Sequence, residues 1–167
     1  MSGGWAFYAL GVPAAQGSKR HVGHGVMIES SKALPGWRDT VTSAAFGAGP
    51  KLEGPVMVSL VFSLPRPKSA RKADLVPWKK PDIEKLARGV YDSITTAGGW
   101  NDDAQVVEHG RLAKVYAGPD YDPEALPVPG VIMAAAELGI RAETAYELCA
   151  VLRRAHRQAW NVYERSA

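Results

Sequence analysis

The sequence predicts a single domain of the α+β class, followed by a helical extension. Residues 56–64 form a dense run of β-forming side chains, which predicts a central strand. Residues 83–96 instead repeat apolar side chains at helical spacing, and a glycine pair ends that pattern. With 167 residues, of which 46% are hydrophobic, the chain is long enough for one ordinary core and too short for two independent enzyme domains.

Local signals predict the other elements of the domain. Aromatic and apolar residues at 5–12 predict a first strand, which Pro13 ends. A helix is predicted at 32–46, with Ser30 or Ser31 as its cap. Two further strands, 104–108 and 111–117, are predicted after the second helix.

A change in composition divides the chain after residue 117. Residues 118–130 are rich in Pro, Gly and Asp, which predicts a linker or an extended surface passage. Residues 131–167 are Ala-rich with a helical pattern, so we predict a helical C-terminal extension of the domain 1–117. We therefore expect a chain that stops near Asp122 to fold.

The extension contains a short pattern that resembles a helix-turn-helix. Ala135, Gly139 and Leu148 occupy positions at which such a unit needs small, turn-forming and apolar residues. Glu143 and Glu147 on its second helix would face phosphates unfavourably. The sequence therefore favours a helical tail that packs on the domain or stabilises a dimer, with DNA reading as the alternative.

The net charge, the cysteine and histidine content and the lack of long apolar runs exclude several classes of protein. A net charge of +3 and an isoelectric point near 9.0 suit a polyanionic partner without requiring one. The single cysteine, Cys149, excludes an intramolecular disulfide, and the four histidines have no zinc-site spacing. No apolar run approaches the roughly 20 residues that span a bilayer, so we expect a cytoplasmic protein without membrane contact.

Two pairs of acidic residues flank the helix predicted at 83–96. Asp82 and Glu84 lie at its start, and Asp102 and Asp103 lie just past its end. Mg²⁺ needs several oxygen ligands, and phosphodiester cleavage uses a metal to generate hydroxide and to stabilise developing charge. Asp is also a good helix cap, and Asp-Asp is common in turns, so each pair taken alone has a purely structural interpretation.

Basic residues are concentrated in two loops and beside the first acidic pair. The loop 16–21 and the Pro-broken segment 65–72 combine adjacent cations with turn residues, a composition able to contact phosphate, although a solvated turn is the alternative. Trp78 and Trp100 flank the acids, where core packing is the default interpretation and stacking on an unpaired base is the alternative. The predicted DNA-contacting residues are Lys19, Arg20, Arg66, Lys68, Arg71, Lys72, Lys79 and Lys80.

The residues around both acidic pairs form a longer pattern, KPDIEKLARGVYDSI at 80–94 and WNDDAQVV at 100–107. This pattern resembles the signature of the RusA-type Holliday junction resolvases, in which Asp-x-Asp-Asn-Leu-x-Lys precedes Asp-Asp-x-Gln-Val. Asp82 matches the first essential acid and Asp103 the second Asp of the later pair. Glu84 stands where the family usually has Asp, Lys85 where it usually has Asn, and Arg88 where it often has Lys.

The resemblance extends over residues 5–117. The sequences Gly11-Val12-Pro13 and Gly17-Ser18-Lys19-Arg20 are similar to the N-terminal element of phage-encoded members, as is Trp37-Arg38. The resemblance implies a mixed sheet packed by helices, a homodimer, and paired symmetric nicks in a four-way DNA junction.

The resemblance also implies residue roles and a cofactor. It implies Mg²⁺, with Mn²⁺ as a possible substitute. The implied catalytic residues are Asp82, Glu84, Arg88 and Asp103, and the implied metal ligands are Asp82, Glu84, Asp102 and Asp103. Two alternatives are a flap or fork nuclease, which would use the same chemistry, and a DNA-binding protein whose catalysis has lapsed through the changes at 84 and 85.

Overall fold

The computed structural model describes residues 3–17, 19–21, 27–29, 31–139 and 143–166. Side chains in β2, in β3 and in residues 143–151 lie outside this description. The described strands are β1 (Gly4–Leu10), β2 (Lys19–His21), β3 (Met27–Glu29), β4 (Val56–Leu64), β5 (Val106–Tyr116) and β6 (Gly130–Glu137). The described helices are α1 (Leu34–Ala45), α2 (Ile83–Ala97), a 3-10 turn (Asp103–Gln105) and α3 (Glu143–Ser166).

Four of these strands form one mixed sheet. Its strand order is β1-β6-β4-β5, with β4 parallel to β5 and the other pairs antiparallel. β2 and β3 pair separately as an antiparallel ribbon. The α+β class and the mixed sheet are therefore confirmed, and β1, α1, β4 and α2 lie within two residues of their predicted bounds.

β4 is the central strand of the protein. It pairs with β6 and β5, and helices cover both of its faces. All nine of its residues are buried. Val58, Leu60 and Phe62 pack in the core formed with α1 and α2, whereas Met57 and Val61 pack in a second core with α3. No helix of the described residues is long and apolar enough to cross a membrane.

The prediction of helix for residues 131–137 is wrong, because these residues form β6. The strand pairs with β1 on one side and β4 on the other. Val131, Met133 and Ala135 face the first core, while Ile132 and Ala134 face the second, so burial is continuous and the period of two is hidden. The first helix of the helix-turn-helix pattern is therefore absent from 134–137, and residues 140–142 lie outside the described residues.

The passage 118–130 packs against the sheet instead of separating two units. Leu126 is fully buried, and its backbone N–H donates to Ser63 Oγ at 2.8 Å. Arg111 of β5 pairs with Asp122 at 2.7 Å and also with Glu124, which fixes the passage to the sheet. A division of the chain at residue 117 therefore cuts through a single sheet.

The two strands predicted at 104–108 and 111–117 are one strand. Gly110, which lies between the two predicted ranges, is inside β5. A Cβ at Gly110 would come within 2.5 Å of Ser59 Oγ, so the close approach of β4 requires glycine there. Residues 103–105 form the 3-10 turn that precedes the strand.

We predict that a chain stopped at Asp122 does not fold, contrary to the expectation from sequence. It lacks β6, so β1 loses its sheet partner and β4 loses one of two partners. The lost strand also contributes residues to both cores, and a domain is stabilised by only roughly 5–15 kcal/mol. Thermal unfolding followed by circular dichroism would show no cooperative transition. A chain stopped at Asn161, which loses mainly exposed residues, should unfold cooperatively; a folded product from the shorter chain would show that β6 is dispensable.

Candidate active site and nucleic-acid interface

Asp82 is the N-cap of α2. Its Oδ1 accepts hydrogen bonds from the backbone N–H groups of Glu84 at 3.0 Å and Lys85 at 3.2 Å. These bonds satisfy donors that the first turn of a helix leaves unpaired. Both are made by one oxygen, and the side chain remains exposed. The capping interpretation is therefore correct, and it leaves the second oxygen available for a ligand.

Asp102 and Asp103 have different roles in the turn before β5. Asp102 caps the 3-10 turn, its Oδ1 accepting from Ala104 N–H at 2.8 Å. Gln105 completes a capping box, its Oε1 accepting from the backbone N–H of Asn101 at 2.7 Å and of Asp102 at 3.2 Å. Asp102 is thus committed to the turn, whereas Asp103 is exposed.

Gln105 also ties this acidic turn to the loop that precedes β4. Its Nε2 donates to the carbonyls of Leu52 at 3.0 Å and Gly54 at 2.9 Å. From the other side, Glu137 accepts from Glu53 N–H at 2.7 Å and from Gly54 N–H. Neither positioning residue was predicted, although Gln105 is the fourth residue of an Asp-x-x-Gln capping box, a recognisable signal.

The electrostatic surroundings of Asp103 are unfavourable for its charge. Partial burial, and then the nearby carboxylates of Asp102 and Asp92, raise the pKa of Asp103, with Arg88 acting in the opposite direction. Burial, followed by the charge of Asp103, raises the pKa of Tyr91, whose hydroxyl lies 2.6 Å from His109 Nε2. Arg88 is therefore close enough to Asp103 to act on its charge, and the pair Tyr91 and His109 lies beside them.

Asp92 and Arg88 differ in their contacts. Asp92 lies 3.5 Å from Arg38 Nη1 of α1 and accepts a hydrogen bond of 3.5 Å from Gln16. Within the described chain Arg88 forms no ion pair, so the alternative of a structural pair with Glu84 is not seen. An exposed guanidinium near Asp103 remains available to an anionic ligand.

The four predicted metal ligands fall into two groups, one at the start of α2 and one after it. Asp82 and Glu84 lie at its start, whereas Asp102 and Asp103 follow its end in the sequence and Asp103 lies near Arg88 and Asp92 of the helix. Among the described residues, no group of three or more His, Cys, Asp or Glu side chains is placed to hold a metal ion. In the part of the chain that the structure describes, the predicted ligands are therefore not gathered around one point.

Of the predicted DNA-contacting residues in 65–80, the two arginines contact other residues of the segment and of the sheet, whereas the lysines are exposed. Arg66 lies over the rings of Tyr116 and Tyr121, 5.6 and 5.7 Å from their centroids, and donates to the Arg71 carbonyl. Arg71 forms an ion pair of 3.1 Å with Asp74. These two arginines shape the segment, whereas the exposed lysines on it are Lys68, Lys72, Lys79 and Lys80.

Lys19, Arg20 and Lys114 are three further basic residues, which lie outside the segment 65–80. The side chains of Lys19 and Arg20, in β2, lie outside the described residues. Lys114, which sequence analysis did not select, donates from Nζ to the carbonyls of Lys79 and Pro81, both at 2.8 Å. It thereby fixes the backbone that leads into Asp82.

The two tryptophans have opposite environments. Trp100 is buried, and its Nε1 donates to Thr95 Oγ1 at 2.8 Å, so the core interpretation is correct for it. Trp78 is 64% exposed, so core packing is the wrong interpretation for that residue.

We predict that Asp103→Asn stabilises the fold at neutral pH. Since folding raises the pKa of this carboxyl, its ionisation opposes folding. The penalty is absent below the unfolded pKa of about 4, grows as pH rises through the folded pKa, and is constant above it. The melting temperature should therefore exceed that of the unmodified protein at pH 7, with a difference that shrinks toward pH 4. Asp120→Asn, at an exposed loop position, is the control. A lower melting temperature at pH 7 would contradict the assignment.

Comparison with known proteins identifies the family. No curated protein matches the chain. The family model described as endodeoxyribonuclease RusA matches residues 11–120, more than half of the 167 residues, and the match includes both acidic pairs and Arg88. The chain therefore belongs to the RusA endodeoxyribonuclease family.

Proposed function

We propose that this protein is a cytoplasmic, Mg²⁺-dependent homodimer that resolves four-way DNA junctions by paired symmetric nicks, in recombination and repair. The observation that carries the proposal is the RusA family match across Asp82, Arg88 and Asp103. Asp82 and Asp103 have exposed side chains, as residues that meet a substrate require. Mn²⁺ is the expected substitute for Mg²⁺, because both prefer oxygen ligands.

The environment of Asp103 supports a cation-binding role. A carboxylate whose pKa is raised partly by neighbouring carboxylates is relieved when a cation binds. When bound, Mg²⁺ would supply a water-derived nucleophile and neutralise charge on the phosphate. Arg88 would offset negative charge beside Asp103, and Gln105 would hold the acidic turn in position.

The separation of the two acidic groups supports the homodimer. Asp82 and Glu84 begin α2, whereas Asp103 lies near Arg88 and Asp92, and among the described residues no three acids are grouped to hold one ion. A second copy, placed so that its acidic turn meets the start of α2, would supply the missing ligands. Paired nicks also require two active sites related by symmetry, which a dimer provides.

A second candidate is a DNA-binding protein that has lost catalysis. The ungrouped ligands of the described chain favour it, as do Glu84 and Lys85 at positions where the family usually has Asp and Asn. A nuclease that prefers flaps or forks would use the same acids. Mg²⁺-dependent cleavage of a junction, a fork and a duplex in parallel separates the three functions.

We predict that Asp82→Asn and Asp103→Asn each lower junction cleavage by more than about 100-fold, since even residues beyond the ligands of a metal contribute about 10- to 100-fold. Junction affinity should hold or rise, because one negative charge near phosphate is removed. Nicking of a synthetic four-way junction with Mg²⁺ and gel shift without it measure the two effects. Asp120→Asn should cleave normally. Loss of binding together with activity would assign these acids to folding.

Mixed dimers test whether the site is shared between copies. When the two inactive variants are co-expressed and purified as a heterodimer, a shared arrangement restores one complete site. Single nicks would then reappear at about half the normal number of sites or fewer. No recovery would place each site within one chain.

We predict that the free lysines set the salt dependence of junction binding. Each neutral substitution among Lys68, Lys72 and Lys80 should lower the slope of log affinity against log salt by about 1 for each phosphate that the side chain neutralises. Titration at several salt concentrations measures the slope. Arg153→Gln, on α3 across the sheet from α2, should leave it unchanged. Unchanged slopes for all three lysine variants would reduce the segment to a solvated loop.

A further inference from the structure

A cavity lies between the segment Pro65–Pro81 and one end of the sheet. It is lined by Leu64 at the end of β4 and Tyr116 at the end of β5, together with Val12 and Pro13 from the loop after β1. Its volume is about 280 Å³, close to the lower end of the roughly 300–1,000 Å³ of small-molecule pockets. One small ring system fits such a space, whereas a large ligand does not.

The chemistry of the lining suits a flat aromatic group. Most of the lining is apolar, with proline and aromatic rings, and its polar groups include Ser69, Asp74 and the two lysines Lys79 and Lys80. Apolar walls with a few polar groups are the usual composition of sites for ring-containing ligands. The lysines add positive charge at the same place, which favours a ligand attached to an anion.

Trp78 is held at this cavity although it is exposed. Lys79 Nζ lies 5.1 Å from the centre of its ring, a cation–π contact. Asp74, which also lines the cavity, is held by the ion pair with Arg71 at 3.1 Å. Leu75 and Val76 beside it are also more than half exposed. An ordered, exposed indole among lysines is the combination that binds single-stranded nucleic acid.

The position of the cavity relates it to the acids. Lys79, Lys80 and Pro81 line the cavity and lead directly into Asp82. A base held there would bring its own phosphate close to the start of α2. A base inside a continuous duplex costs a few kcal/mol to unstack, and the cost is lower where pairing and stacking are already disturbed.

We propose that this cavity receives one unstacked nucleobase from the crossover of the DNA substrate, with Trp78 as its stacking partner and Lys79 and Lys80 on the adjoining phosphates. The inference rests on the proposed function for the choice of DNA as ligand. It adds a base-binding site and a residue that would select branched over continuous duplex. Trp78 acts here through binding, not as a catalytic residue.

The test uses a four-way junction with 5-iodouracil at the crossover, irradiated on the full-length protein without Mg²⁺. The cross-linked peptide, identified by mass spectrometry, should contain Trp78, and the same base placed in a duplex arm should give no such product. Trp78→Ala should weaken junction binding about ten-fold or more, with little change in duplex binding. Trp78→Phe should retain most of the affinity, because it keeps an aromatic face. Phe46→Ala, at another exposed aromatic residue, is the matched control.

The experiment distinguishes failure of the base-binding site from failure of the proposed nuclease function. Junction cleavage with cross-links that avoid Trp78, or with Trp78→Ala binding normally, overturns the base site and leaves the nuclease standing. A changed oligomeric state of Trp78→Ala in light scattering, without loss of the cross-link, also overturns it, since the patch is then an interface between copies. If the protein binds no junction, iodouracil in a single strand is used: a Trp78 cross-link supports the site alone, and its absence overturns it.

Discussion

Parallel pairing of β4 with β5 is the constraint on which the arrangement of the site depends. Two parallel neighbours cannot be joined by a tight turn, so the chain must return along the sheet before the second strand begins. α2 makes that return. The position of α2 on the sheet therefore decides where the acids before and after it lie. The packing of Leu86, Val90 and Ile94 against β4 fixes the helix in this position.

The same constraint separates two functions along α2. Its first end carries Asp82, the free lysines and the exposed Trp78, and so presents charge and an aromatic face. Its second end carries Asp103, whose turn is fixed by Gln105 to the backbone before β4. The first end is suited to gripping nucleic acid, and the second holds a carboxylate in an electrostatically unfavourable place.

Sequence patterns predicted the elements whose signals are local. β4 is a run of β-formers and α2 has a cap, a clear apolar period and a glycine stop, so both agree with the structure within a residue. β6 could not be predicted, because a strand buried on both faces has no alternation and its alanines favour helix in isolation. The motif singled out Asp82, Arg88 and Asp103, whereas their placement relative to one another depends on the crossover, which no short pattern encodes. The sequence around Trp78 and Glu137 likewise does not encode their roles, because their contacts are with residues brought close by the fold.

Through Glu137, the C-terminal third of the chain contacts the loop that positions the turn of Asp102 and Asp103. Glu137 ends β6, beyond the residues 11–120 that match the family, and holds the N–H groups of the loop whose carbonyls receive Gln105. The loop thus works as a coupling between the last strand and Asp103. The end of β6 and the turn that carries Asp103 should therefore evolve together. An insertion that shifts the end of β6 would also displace Asp103. A recombination event that exchanged the chain after residue 120 would succeed only if the incoming segment carried an equivalent acceptor at that point.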